Sequence, residues 1–267
     1  MRKVTSVLRR RGLPRFTVLK RSFANRTDEN ERDIRIYLES ADKNDWNALL
    51  PLGIFSGVNT NPLLLKEAGI EIKEPVFPNL RSLIRSAVDD YPVNEIFIQA
   101  WGSTKDELVR TGLIARMFDR RVVVSMPVTF EGMQAATELI QKGAKVCMTA
   151  GHAQKQAVMG SALMADYFAP CVSGISESGE DAVAQCIAMQ QVIAGMGSQT
   201  RIMASSLQSA DEIVELSKAG IKTFSVSARV AYELVNQPLT TKMTDELEDI
   251  SQGLIAESKE TWAESKQ

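Results

Sequence analysis

From about residue 33 onward the chain alternates short apolar runs with longer amphipathic ones. The short runs are "IRIYLES" (34–40), "IFSGVN" (54–59), "EIFIQA" (95–100), "RVVVSM" (121–126), "AKVCMT" (144–149), "DYFAPCV" (166–172), "TRIMAS" (200–205) and "IKTFSVS" (221–227). Each has the length and the β-branched or aromatic content of a buried strand. Between them lie helical patterns, among them "TKDELVRTGLIARMFD", "EGMQAATELIQKG", "HAQKQAVMGSALM", "DAVAQCIAMQQVIAGM" and "SADEIVELSKAG", several of which end at glycine, as helix caps do. Strands alternating with helices of this length predict parallel βαβ units. Eight in succession predict an α/β fold, a closed (β/α)8 TIM barrel occupying residues 31–240. At 267 residues the chain fits one such domain. The remaining stretch, 241–267, reads as an extra polar C-terminal helix, either a solvated end or a segment that docks on a neighbouring subunit.

Charge divides the chain. Residues 1–27 hold nine Lys or Arg and no acid, which leaves 22 bases against 33 acids in the rest. An acidic body is a poor partner for nucleic acid, since neutralising phosphates needs a basic face. The leader, residues 1–30, is Arg-rich, acid-free as far as Thr27 and dotted with Val, Leu and Phe, the pattern of an organelle transit peptide. Its segment Arg21-Ser22-Phe23-Ala24 is similar to a mitochondrial processing site, so a mitochondrial location is expected, with the plastid as the alternative. No run of about 18 apolar residues is present, so no membrane span is expected. Cys147, Cys171 and Cys186 are widely spaced and suggest neither a disulfide framework nor a zinc site.

Chemistry in a barrel of this kind sits where the strands stop, at their C-terminal ends. The residues there are Glu39, Asn59, Thr60, Asn61, Gln99, Ser125, Thr149, Cys171, Ser205, Ser206 and Ser227. A carboxylate, amides and hydroxyls converging on one rim suit a polyhydroxylated ligand. No His-rich or multi-carboxylate cluster is present, so neither a metal nor another cofactor is expected. His152, the sole histidine, opens a predicted helix, where capping or packing is the expected role.

Six segments carry a resemblance: "GVNTNP" (57–62), "FIQA" (97–100), "VVSMPVTFEG" (123–132), "MTAGHAQKQA" (148–157), "DYFAPCV" (166–172) and "MASSLQS" (203–209). In order and spacing they resemble the signature segments of the small transaldolases and fructose 6-phosphate aldolases. That resemblance implies a class I aldolase barrel, in which a lysine on the fourth strand forms a Schiff base with a ketose, an aspartate on the first strand moves protons, and the rim holds a phosphate. It also implies rings of barrels, with the C-terminal helix lying on a neighbour.

Carried over position by position, the resemblance matches Thr60, Asn61, Gln99, Thr149 and Ser206, with Ser205 beside the last. It departs at four places. Glu39 stands for the aspartate, Cys171 for a tyrosine, Gly174 for the phosphate-binding arginine and Ser125 for the Schiff-base lysine. Expected catalytic positions are therefore Glu39, Gln99, Ser125 and Thr149, and expected substrate contacts Thr60, Asn61, Cys171, Ser205 and Ser206. A serine cannot form the iminium cation that withdraws electrons for carbon–carbon cleavage. Two classes of function follow. One is a transaldolase-like protein without Schiff-base activity, acting as a sugar-phosphate sensor or as a structural subunit of an organelle assembly or homo-oligomer. The other is an active transaldolase or aldolase whose nucleophile has moved. Lys145 and Lys222 begin their strands, at the end of the barrel away from the chemistry, and Lys155 lies in the helix after the fifth strand.

Overall fold

The computed structural model describes residues 34–73 and 77–264, with side chains to residue 256. The basic leader lies outside the described residues. Eight parallel strands run β1 (Arg35–Glu39), β2 (Gly57–Thr60), β3 (Glu95–Gln99), β4 (Val122–Pro127), β5 (Lys145–Gly151), β6 (Tyr167–Pro170), β7 (Arg201–Ile202) and β8 (Thr223–Ser227). Each pairs with its neighbours in chain order, and β1 also pairs with β8, so the sheet order is β7-β6-β5-β4-β3-β2-β1-β8. The seam between β7 and β8 carries one isolated bridge, Ala204 with Phe224, flanked by Ala204 N–H to Thr223 C=O (3.0 Å) and Ser225 N–H to Ala204 C=O (2.8 Å). The architecture is thus the expected (β/α)8 barrel, closed more loosely at that seam than elsewhere.

Eleven α-helices are present among the described residues: α1 (Lys43–Leu49), α2 (Pro62–Glu67), α3 (Pro78–Asp90), α4 (Lys105–Phe118), α5 (Phe130–Gln141), α6 (Gln154–Ala162), α7 (Val172–Glu177), α8 (Ala182–Gly195), α9 (Ala210–Lys218), α10 (Ala228–Val235) and α11 (Pro238–Glu264). Several of them start at side-chain caps that satisfy otherwise orphaned amides. Thr104 and Glu107 make a reciprocal capping box at α4, and Asn61, Thr129, Asp181 and Ser209 cap α2, α5, α8 and α9. Strand residues alternate between two cores. Leu38, Val58, Ile96, Ile98, Val122, Val124, Val146, Phe168, Phe224 and Val226 belong to the large cluster that the sheet shares with the helices. Tyr37, Phe97, Val123, Cys147, Tyr167, Ala169 and Met203 form a second buried cluster inside the barrel.

Several strand boundaries differ from the expected ones, three of them with an evident cause. Strand β2 starts at Gly57 rather than 54, because a 3-10 turn over Leu50–Leu52 and left-handed Gly53 precede it, leaving Ile54 exposed. Gly57 then runs against β3 so closely that a Cβ there would lie 1.9 Å from the Glu95 carbonyl oxygen, which only glycine avoids. Strand β6 ends at Pro170, since Val172 already starts α7, and β7 keeps two residues because Met203 to Ser205 curve along the rim through single bridges. No helix among the described residues is long and apolar enough to cross a membrane.

Candidate active site at the barrel mouth

Strict alternation along the strands locates the site. Two residues beyond six of the seven members of the interior cluster lies a polar side chain on the same side of the sheet. From Tyr37, Phe97, Val123, Cys147, Ala169 and Met203 one reaches Glu39, Gln99, Ser125, Thr149, Cys171 and Ser205. All six were expected from the strand ends, and the barrel gathers them at its C-terminal mouth. Below them the interior is closed by edge-to-face rings, Tyr37–Phe97 at 4.7 Å and Phe97–Tyr167 at 5.1 Å between centroids.

Beneath the rings, at the opposite end, Glu95 accepts from the hydroxyls of Tyr37 and Tyr167 (2.6 Å each) and from the Lys145 ammonium (2.8 Å). The Arg35 guanidinium donates to Tyr167. Burial alone would push Glu95 up, but hydrogen bonds from Lys145, Tyr167 and Tyr37 outweigh it and hold the carboxyl below its ordinary range. Lys145 therefore serves this floor, as its place at the start of a strand implied.

At the mouth the acid is Glu39. Asn59 Nδ2 donates to Ser225 Oγ (2.8 Å), whose hydroxyl donates to Glu39 Oε2 (3.0 Å), and the Ser206 amide also bonds the carboxylate. Burial raises the Glu39 carboxyl above its ordinary value, with the Ser225 and Ser206 hydrogen bonds opposing. Glu39 is thus held toward the neutral form that can give up a proton, as acid–base groups in sites often are. Ser206 adopts φ 57°, and Ala150, at the same rim after Thr149, φ 60°. Left-handed backbone costs a non-glycine residue about 1–2 kcal/mol, and here it turns an amide onto the acid.

Other expected residues are already occupied. Thr60 faces the helix layer, its hydroxyl donating to the Phe97 carbonyl (3.1 Å), while Asn59 is the β2 residue that points inward. Asn61 uses its amide oxygen to cap α2 through Leu64 N–H (3.0 Å). Ser205 donates to the Pro170 carbonyl (2.8 Å). Gln99 and Thr149 have no side-chain hydrogen-bond partner among the described residues, which leaves them available to a ligand. Ser125 is buried beside Gln99 and Cys147, and its hydroxyl bonds the Cys147 thiol, itself pushed well up by burial. Neither Asn59 nor Ser225 is among the catalytic positions or substrate contacts expected from the sequence; the signal for both is register, since Glu39 pairs with Asn59 on one side and Ser227 on the other. His152 precedes α6 rather than opening it, and Gln156 reaches back to accept from its amide (2.7 Å). No group of three or more His, Cys, Asp or Glu among the described residues could hold a metal ion.

The family described as Transaldolase/Fructose-6-phosphate aldolase matches residues 36–267, the whole barrel and its last helix. The chain belongs to this family. A probable transaldolase of Methanococcus maripaludis is 28% identical over 211 residues, covering 78% of this chain and 92% of that protein. A probable transaldolase of Herpetosiphon aurantiacus is 25% identical over 209 residues, covering 78% and 90%. Among solved structures, a thiamine phosphate pyrophosphorylase from Pyrococcus furiosus aligns with a TM-score of 0.53 at 12% identity, over 76% of this chain and 94% of that one. That likeness speaks to the barrel alone. Within the transaldolase family, the mouth just described is the place to look for function.

Proposed function

We propose that this transaldolase-family chain binds a sugar phosphate at the barrel mouth without forming a Schiff base on it. One observation carries the reading: no described strand bears a lysine in its C-terminal half, and the single strand lysine, Lys145, is bonded to Glu95 at the far end. At the position that the resemblance assigns to the reactive amine stands Ser125, whose hydroxyl neighbours a thiol and no base. Glu39, Gln99 and Thr149 supply donors and acceptors for hydroxyl groups of a ligand, while Gly174 offers no charge to a phosphate. The protein in this reading is a sensor or binding subunit of carbohydrate metabolism rather than a catalyst. The test is dihydroxyacetone transfer from fructose 6-phosphate, run beside a lysine-bearing relative. Losing the covalent nucleophile removes several orders of magnitude in rate, so turnover is expected to be undetectable; turnover within about tenfold of the relative's would overturn the reading.

An assembly role has its own support. Every residue of α11 from 238 to 256 is exposed, and Leu239, Met243, Leu247, Ile250 and Leu254 recur at spacings of four or three, an apolar stripe with no cover among the described residues. On this reading the helix covers a second copy of the barrel. Ending the chain after Thr240 is expected to reduce the assembly to a monomer by light scattering, whereas a monomeric full-length protein would remove the assembly role.

A further inference from the structure

His152 and Cys171 both approach Gly174 at the rim. The His152 Nδ1 lies 2.9 Å from the Ala150 carbonyl, and a carbonyl can only accept, so Nδ1 carries a proton and Nε2 is the ring nitrogen left to accept one. Left-handed Ala150 shapes the turn that makes this contact. A Cβ on Gly174 would lie 2.5 Å from His152 Nε2, too close for a methyl group, and 3.2 Å from Cys171 Sγ, so imidazole and thiol both pack onto residue 174, and the ring can sit there because that residue is glycine. Cys171 is partly exposed, follows β6 directly and has the Ser173 hydroxyl 3.8 Å from its sulfur. Cys147 is sealed inside the barrel, and Cys186 is buried in α8 with its thiol pushed up to about 12 by burial. Of the three thiols, Cys171 is the one that is partly exposed, and it shares its contact with Gly174 with a base, the kind of pair from which a cysteine nucleophile is activated.

We propose that Cys171, with His152 as its base, adds reversibly to a small hydroxyaldehyde bound at the barrel mouth, holding it as a hemithioacetal. This deepens the sugar-phosphate reading and rests on it for the choice of ligand. The sulfur–carbon bond forms as the carbonyl π pair moves onto oxygen. The thiol proton passes to His152 Nε2 and from there to that oxygen, so thiol and aldehyde combine with nothing lost and no oxidant needed. An aldehyde is preferred to a ketone because its carbon is less crowded and more electrophilic. Gln99 and Thr149, free of protein partners on neighbouring strands, are placed to meet the ligand's hydroxyl groups.

The test is the rate at which iodoacetamide alkylates each cysteine in the folded full-length protein, read by peptide mass mapping. Cys171 is expected to react while Cys147 and Cys186 stay protected. His152→Gln should slow Cys171 by about tenfold or more, the low side of what a positioned base supplies. Gly174→Ala should slow it similarly by displacing the imidazole, although neither reactive group has been removed. Glyceraldehyde should protect Cys171, while glycerol, which has the hydroxyl groups but no carbonyl, should not. Alkylation of Cys171 at the native rate in both variants, or equal protection by glycerol, would overturn the proposal. Loss of fructose 6-phosphate binding with His152-dependent glyceraldehyde protection intact would remove the sugar-phosphate reading and leave the hemithioacetal standing.

Discussion

Glu95→Ala is expected to cost about 3–5 kcal/mol of folding stability, the usual result of removing one partner of a buried ion pair. The carboxylate is 7% exposed and accepts from Tyr37, Tyr167 and Lys145 at once, with Arg35 Nη1 3.7 Å away. Deleting it leaves two buried hydroxyls without their acceptor and two cations facing one another across the floor of the barrel. That loss is a large part of the roughly 5–15 kcal/mol that holds a domain together, so urea midpoints should show it plainly. The pH dependence has a definite sign. Because the folded-state value of Glu95 is depressed, its stabilisation is complete above the unfolded value, near about 4.3, and is lost as pH falls through the folded value. Glu95→Gln should flatten that acid limb. Glu39 behaves oppositely: its value is raised, so its share is present below about 4.3 and is lost as pH rises through the folded value. Glu39→Gln is therefore expected to stabilise the protein at neutral pH, where the native side chain accepts a cost that a purely structural acid would not. A Glu95→Ala loss below about 1 kcal/mol would show that the floor network is not what closes the barrel.

Short apolar runs separated by helical ones were enough to indicate eight strands, and the polar residues that end those strands are largely the ones gathered at the mouth. What the sequence did not reveal depends on pairing. Whether Asn59 or Thr60 looks inward is a matter of one residue of register, and that register is set by the Gly57–Glu95 contact and the neighbouring strands. The motif "TNP" looked like a binding element, yet Pro62 starts α2 and commits the Asn61 oxygen to its cap. The floor network was invisible for a different reason. Arg35 and Tyr167 lie 132 residues apart and Tyr37 and Glu95 58 apart, and each alone reads as an ordinary residue near the start of a strand. Only closure of the sheet brings them together. Gly174 was noticed for the charge it lacks; the structure adds what occupies the space, the ring of His152.

The site reading predicts a change that is all-or-none in mass. Native protein mixed with dihydroxyacetone or fructose 6-phosphate and then borohydride is expected to gain no ligand mass, because the strands bring no amine to the mouth. Ser125→Lys is expected to gain it, with the adduct mapping to the peptide that contains residue 125. Position 125 faces the interior between Gln99 and Cys147, two residues above the buried Val123, so a lysine side chain there would be partly stripped of water and part of it would be neutral, as imine formation requires. Filling that space is expected to cost about 1–3 kcal/mol of stability, within what the fold can bear. Turnover should nonetheless stay far below that of a lysine-bearing relative. Glu39 is held by Ser225 and the Ser206 amide, and Gly174 provides no grip on phosphate, so an imine could form without the proton transfers that complete a cycle. A borohydride adduct on the native chain, at Lys145, Lys155 or Lys222, would contradict the reading and show that the amine had moved rather than disappeared.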